Sequence, residues 1–321
     1  MALTHVRRGA VPVAAAAAVA AGALLSASPA AAATNTIEFA GACQARAILT
    51  QHISQTLGMS ITAPDTVNAG DEFSYTVQPT VSSLPDKESI ATTVDIQRLK
   101  IDWDLPANTE FVSAAVVPGT SKGLTGVAPT AILVNEAGVP DAAGTVIRLS
   151  GDNETVANGP KSSATTPGGI AVEKTKTDMA GNPTADGSTQ FQLPAVTVTV
   201  KALAEGVVTP TVRVAGDAAN YNSDTNYDTF LARANALGSV QNAPSFCTPK
   251  DGKRPGNDVP VNAGGQALAT ITVGEGGPVD PGPNPGPGTG EGDGSIGGGS
   301  SDLDFDFGSV DMGSVTGLLG S

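Results

Sequence analysis

The densest set of metal-ligand side chains lies between Asn220 and Asp228. Oxygen-bearing side chains recur there at Asn220, Asn222, Asp224, Asn226 and Asp228, the alternation used by calcium loops. The set is not an EF-hand: counted from Asn220, Thr225 stands where the turn glycine belongs and Leu231 where the closing glutamate belongs. Asn and Asp in such runs also bond their own backbone in turns. The expectation is a polar turn that holds calcium weakly if at all, and no other cofactor.

Other chemistry is sparsely provided. Beyond His5 near the start, the chain has one histidine, His52, so any Ser-His-Asp triad must use it. Zinc sites built from several His or Cys cannot be assembled within one chain. Gly119–Gly123 reads Gly-Thr-Ser-Lys-Gly and fits the nucleophile-elbow pattern, but the strand-turn-helix context that motif needs is missing. Gly292–Gly297 fits a dinucleotide fingerprint inside a low-complexity stretch with no βαβ unit. Asp71, Glu72, Asp102 and Asp104 could supply paired carboxylates for a glycosidase. Strand alternation alone also accounts for Asp102 and Asp104. Asn153-Glu154-Thr155 is a glycosylation sequon. No catalytic residue is assigned.

The elements that would position these groups are strands. Leu99, Ile101, Trp103 and Leu105 alternate with Lys100, Asp102 and Asp104, which puts the apolar set on one face and the charges on a solvent face. Val94 and Ile96 have the opposite parity, so a β-bulge is expected near Gln97-Arg98. Trp103, the sole tryptophan, is expected at the centre of a sheet-on-sheet core. Phe73, Tyr75 and Val77 share a register in Glu72–Gln78, and Val196, Val198 and Val200 alternate with Thr197 and Thr199. Further strands are expected at 36–40, 59–63, 128–135, 144–150, 207–215 and 267–273. The stretch 43–57 mixes helical and alternating spacing and is expected as strand, because everything after it is β, while 230–237 suits a short helix or a strand. Gly151–Ser188 reads as long exposed loops around one edge strand, Ile170–Lys174. About ten short strands separated by turn signals indicate an all-β sandwich.

Asp104–Ala114, Asp-Leu-Pro-Ala-Asn-Thr-Glu-Phe-Val-Ser-Ala, resembles the Leu-Pro-Ala-x-x-x-Phe-Val-Ser segment of a repeat domain common in bacterial surface proteins. The resemblance implies an immunoglobulin-like β-sandwich serving as a stalk or adhesive module. It implies no catalytic residues.

Residues 1–33 have the pattern of a secretory signal: a basic start with Arg7 and Arg8, an Ala-rich apolar run, and Ala31-Ala32-Ala33 as a cleavage site. Ala40-Gly41-Ala42-Cys43 lacks the leucine of a lipoprotein box. The signal implies an oxidising compartment, where the only two cysteines, Cys43 and Cys247, are expected to form a disulfide. The net charge of −14 disfavours nucleic acid and anionic lipid as partners. Residues 34–274 form the expected sandwich domain. Residues 275–300 are a Pro/Gly-rich linker, and 301–321 an acidic tail in which Leu303, Phe305 and Phe307 alternate with Asp302, Asp304 and Asp306. That tail is expected to be disordered unless Leu303–Phe307 adds to a sheet edge. No second apolar run is long enough to anchor the chain in a membrane.

The expectation is a secreted, non-enzymatic protein of the cell envelope or exterior, structural or binding, whose partner is an envelope component or another protein. A secreted glycosidase-like hydrolase and a calcium- or glycan-binding module are the alternatives.

Overall fold

Val94 to Asp104 lies within a strand that pairs with five others along its length. The computed structural model describes residues 32–88, 90–214, 223–251 and 267–276. Every described residue falls within one unit, Met1–Pro278. The strands in chain order are β1 (Ala32–Arg46), β2 (Thr50–Pro64), β3 (Thr66–Asn68), β4 (Glu72–Pro79), β5 (Ser82–Leu84), β6 (Lys87–Glu88) and β7 (Ala91–Asp104). Next come β8 (Thr109–Val116), β9 (Thr125–Gly126), β10 (Pro129–Val134), β11 (Val146–Gly151), β12 (Ile170–Glu173) and β13 (Thr189–Phe191). The last are β14 (Val196–Ala202), β15 (Gly206–Val208), β16 (Thr211–Val212), β17 (Asp228–Ala236), β18 (Ser239–Pro249) and β19 (Ile271–Gly274). The described residues contain no helix, so the stretches 43–57 and 230–237 resolve as strand.

The main sheet runs β10-β11-β7-β17-β18-β1-β2-β4-β14-β8 and is antiparallel throughout. Its two ends, β10 and β8, come back against each other. Ile96, Leu99, Ile101 and Trp103 of β7 join Tyr75 and Val77 of β4 and Val196, Val198 and Val200 of β14 in one buried cluster. Strands far apart in the sheet order thus bury a common face, which is the arrangement of a β-sandwich. Trp103 sits in that core at 2% exposure, as expected.

The bulge in β7 falls where the parity change placed it. Thr229 pairs with Lys100 and Leu231 with Gln97, so β7 carries one residue more than its partner. The same slip appears against β12, between Ile170–Leu99 and Val172–Ile96. Arg98 takes up the extra length in the left-handed region, φ 52°. Downstream, the Leu105-Pro106 corner turns β7 into β8. Thr109 Oγ1 donates to the Pro106 carbonyl at 2.6 Å, and Asn108 has φ 63°.

Two expectations need correction. Lys100 and Asp102 do not face solvent: both are fully buried, and Asp104 is half-buried. Period-two alternation separates the two faces of a strand but does not say whether the second face is covered. Here it is covered by the segment read as long exposed loops. Within 151–169, Asn153, Thr155 and Val156 are buried, and β12 is paired to β7 on one side and β9 on the other. Arg98 fastens this segment, its guanidinium donating to the carbonyls of Thr166 (2.5 Å) and Lys161 (2.8 Å). Its own N–H donates to the Gly168 carbonyl at 2.8 Å. The bulge therefore aims a cation at backbone acceptors that a polar loop could not otherwise satisfy. The 275–300 linker from Gly277 on, the 301–321 tail with Leu303–Phe307, the Gly292–Gly297 pattern and residues 1–31 lie outside the described residues.

Candidate functional site

Under that cover lies a cluster of charged side chains on the outer face of β7. Directly opposed residues of antiparallel strands share a face. Arg148 of β11 is opposite Asp102, and Thr229 of β17 is opposite Lys100. Arg213 follows β16, and its N–H donates to the Asp102 carbonyl at 3.1 Å. Lys100, Asp102, Arg148 and Arg213 are all fully buried.

Asp102 is the hub. Its Oδ1 accepts from Arg148 Nε at 2.9 Å. Its Oδ2 accepts from Lys100 Nζ at 2.6 Å, Arg148 Nη2 at 2.9 Å and Arg213 Nη1 at 2.9 Å. Burial pushes the Asp102 carboxyl up, but the surrounding Arg148, Lys100 and Arg213 charges outweigh it and hold the group well below the usual carboxylate range. Arg148 spends its remaining donors on Asn153 Oδ1 (3.2 Å), the Asn158 carbonyl (2.9 Å) and Asn158 Oδ1 (3.0 Å). Arg213 reaches the rim, where it pairs with Glu136. Asp104 accepts from the Val214 N–H at 2.9 Å; burial raises its pKa, and the Val214 bond and Arg213 counter this.

The cover fits closely. Gly138 has φ 73°, and a Cβ there would lie 1.6 Å from the Asn158 carbonyl oxygen and 2.5 Å from Arg148 Nη1. Only glycine lets this turn approach the guanidinium. The sequon asparagine, Asn153, is part of the same closure: it is 5% exposed, and its Nδ2 donates to the Gly138 carbonyl at 2.9 Å.

Lys100 has a second partner, the backbone carbonyl of Asn226 at 2.7 Å. Burial depresses the Lys100 pKa to about 7, with the Asp102 charge opposing the shift. Burial also pushes the Asp228 carboxyl up to about 7. Several polar atoms here have no partner: both side-chain atoms of Asn226, Asp228 Oδ1, Thr229 Oγ1, Ser150 Oγ and Arg213 Nε.

The expected metal residues are placed as follows. Asn220 and Asn222 lie outside the described residues. Asp224 is exposed, Asn226 is fully buried, and Asp228 is half-buried with Oδ1 enclosed. Asn226 lies against the Lys100 ammonium, which disfavours a divalent cation at that end of the segment. Among the described residues no three His, Cys, Asp or Glu side chains converge as a metal set. His52 is a half-buried residue of β2. Gly119–Gly123 is a turn between β8 and β9, with Gly119 and Gly123 at φ 76° and 73°. Asp71 and Glu72 are exposed at the entry to β4, whereas Asp102 is enclosed on β7. Two surface hollows, of about 270 Å³ around Asp152, Asn153 and Lys161 and about 490 Å³ around Glu110, Phe111 and Leu203, contain none of the four carboxylates proposed for glycosidase chemistry.

The cysteines are joined. Cys43 of β1 and Cys247 of β18 are direct cross-strand partners, with Cα atoms 4.1 Å apart and a disulfide between them. The bond links the first strand to the last long strand of the main sheet. Sequence reasoning missed the Lys100–Asp102–Arg148–Arg213 cluster. Arg148 opposite Asp102 was legible only once β11 was known to pair with β7.

These features define an all-β sandwich with an enclosed ionic cluster and one disulfide. No protein-family model matches the chain, and no curated protein matches it. Among solved structures, it is similar to one from Corynebacterium diphtheriae described as a "putative membrane anchored protein". The two share 14% identity with a TM-score of 0.39, over 76% of this chain and 38% of that one.

Proposed function

We propose that the chain is a non-enzymatic module of the cell envelope or exterior that supports or binds a neighbouring envelope component. The observation that carries this reading is the use to which the reactive side chains are put. Lys100, Asp102, Arg148 and Arg213, the charged groups gathered most closely in the fold, are enclosed and spent on tying β7, β11 and the segment after β16 together. Catalytic groups must touch a substrate, and these touch one another. The extracytoplasmic setting is supported by the secretory pattern of residues 1–33 and by the Cys43–Cys247 disulfide, since such bonds persist in oxidising compartments.

The test is fractionation of the source organism followed by capture from solubilised envelope with the full chain and with a chain ending at residue 300. The reading predicts that the protein is found in envelope or medium and that the full chain captures an envelope component. Recovery in the cytoplasm with reduced cysteines would contradict it. Hydrolysis of envelope glycans by the purified chain, abolished by Asp104→Asn, would favour the glycosidase alternative instead.

A further inference from the structure

Leu237 stands where a leucine is costly. It forms with Gly238 the two-residue turn between Ala236 and Ser239, with φ 53° and 83°. Positive φ at both central residues defines a type I′ turn, whose first position favours Asn, Asp or Gly. The other non-glycine residues with positive φ among the described residues are Arg98, Lys176, Asp152 and three asparagines, all polar. Leu237 is 77% exposed, so packing within the chain offsets little of this strain. It is not alone at this end of the sheet. Asn235 is opposite both Val240 and Thr92, and Leu237 and Ile90 each lie two residues beyond that row. The tips of the β17–β18 and β6–β7 hairpins thus end side by side, with Leu237, Ile90 and Val240 all exposed. Ala45 is opposite Ser245, so the β1–β2 turn, with exposed Ile48 and Leu49, projects at the same end.

Charge sets these turns apart from the rest of the molecule. The chain has 31 acidic residues, yet Phe39–Pro64 and Thr229–Lys250, which span the β1–β2 and β17–β18 hairpins, hold none. Lys87 and Glu88, both exposed, border Ile90 and offset each other. We propose that these turn tips dock the protein on the surface of a lipid bilayer of low anionic content, with Ile48, Leu49, Ile90, Leu237 and Val240 entering the boundary between headgroups and acyl chains. A protein partner would hold such side chains in matching pockets, and a glycan site would need a hollow lined by polar groups. Here the apolar side chains project singly from convex turns, and neither surface hollow includes any of them. A fluid interface needs no shape match, only projecting apolar groups free of carboxylates that phosphate headgroups would repel. The net charge of −14 acts over a longer range and opposes approach to an anionic surface, which sets the low anionic content. The proposal deepens the envelope reading and rests on it for its setting: the component bound is the lipid surface itself.

The test is flotation of the purified full chain and two variants with phosphatidylcholine vesicles, with folding followed by urea unfolding read at Trp103. Leu237→Asn suits the type I′ turn, so its urea midpoint should be equal or higher while the vesicle-bound fraction falls at least about threefold. Adding Ile48→Ser and Leu49→Ser should bring the bound fraction to the level without lipid. Replacing about one-third of the lipid by phosphatidylglycerol should weaken binding at low salt, and added salt should restore it. Binding that rises with phosphatidylglycerol would overturn the surface proposed. No flotation of the unaltered chain at about 1 mM lipid would overturn the whole proposal. So would flotation that both variants retain in full, which would place the contact elsewhere, in the Ala-rich run of residues 1–33 above all. Self-association that Leu237→Asn abolishes, without vesicle binding, would make the occupant a second copy and overturn it too. Flotation needs no fractionation of the source organism, so the two readings fail separately. A chain found in the envelope that does not float sinks the lipid surface alone, whereas a chain recovered from the cytoplasm with reduced cysteines sinks the envelope reading whatever the vesicles show.

Discussion

Replacing Asp102 with asparagine keeps the size of the side chain and removes a fully buried anion that faces three fully buried cations. Asp102 accepts four charge-assisted hydrogen bonds at 2.6–2.9 Å. Each such bond is worth about 1.5–3 kcal/mol net, but bonds sharing one acceptor group are not additive. The better guide is the whole pair: removing one partner of a buried ion pair costs about 3–5 kcal/mol, because the other charge stays buried and uncompensated. The asparagine amide would in addition point a donor at lysine and arginine donors. Asp102→Asn should therefore lose about 3–5 kcal/mol, a large share of the roughly 5–15 kcal/mol of an ordinary domain. At about 2–4 °C per kcal/mol the melting temperature should fall by about 6–20 °C. Urea unfolding followed by Trp103 fluorescence reads this cleanly, since Trp103 is the sole tryptophan and is 2% exposed. A loss below about 1 kcal/mol with an unchanged urea dependence would refute the claim that the cluster holds the outer face of β7 together.

Three further outcomes are expected. The disulfide closes a span of 204 residues, so Cys43→Ser with Cys247→Ser should cost up to about 5 kcal/mol on the chain-entropy model; free-thiol titration of the unfolded, unreduced chain should find none, and two thiols per chain would contradict the bond. Burial raises the Asp228 pKa to about 7, so the folded chain keeps a proton that the unfolded chain releases above about pH 4. Stability from this group should decline between about pH 4 and 7, and Asp228→Asn should flatten that slope in urea unfolding across the range. Asp102 has the opposite sign: its depressed pKa gives stability present above about pH 4 and lost as pH falls further. Calcium titrated calorimetrically into the chain should show no sub-micromolar site, and a tight site abolished by Asp224→Ala would contradict the placement of Asn226 against Lys100.

The sequence made the apolar half of this architecture readable. Leu99, Ile101 and Trp103 announced one face of β7, and the parity change from Val94 and Ile96 announced the bulge at Arg98. Phe73, Tyr75 and Val77 announced β4, and Val196 to Val200 announced β14. The charged half was not readable, for a definite reason. Lys100 and Asp102 have the spacing of a solvated face, and what buries them is a polar segment with few large apolar residues. Its order comes from long-range bonds, Arg98 to the Lys161 and Thr166 carbonyls and Arg148 to Asn153 and Asn158, which no local pattern encodes. The β17–β18 hairpin was obscured similarly: Phe230–Leu237 suits a helix or a strand, and pairing with β7 decides it. Asn226 and Asp228 looked like calcium ligands because residue type shows oxygen atoms but not the ammonium beside them.

Enclosure of the ionic cluster beneath its polar cover is tested most directly by arginine footprinting. The folded chain is treated with an arginine-selective dicarbonyl reagent, and each site is followed by peptide mass spectrometry. Arg148 and Arg213, both fully buried, should stay unmodified while the partly exposed Arg233 reacts, and both should become reactive when the chain is unfolded in urea. Modification of Arg148 and Arg213 in the folded chain at the rate of Arg233 would show an open site where an enclosed one is expected.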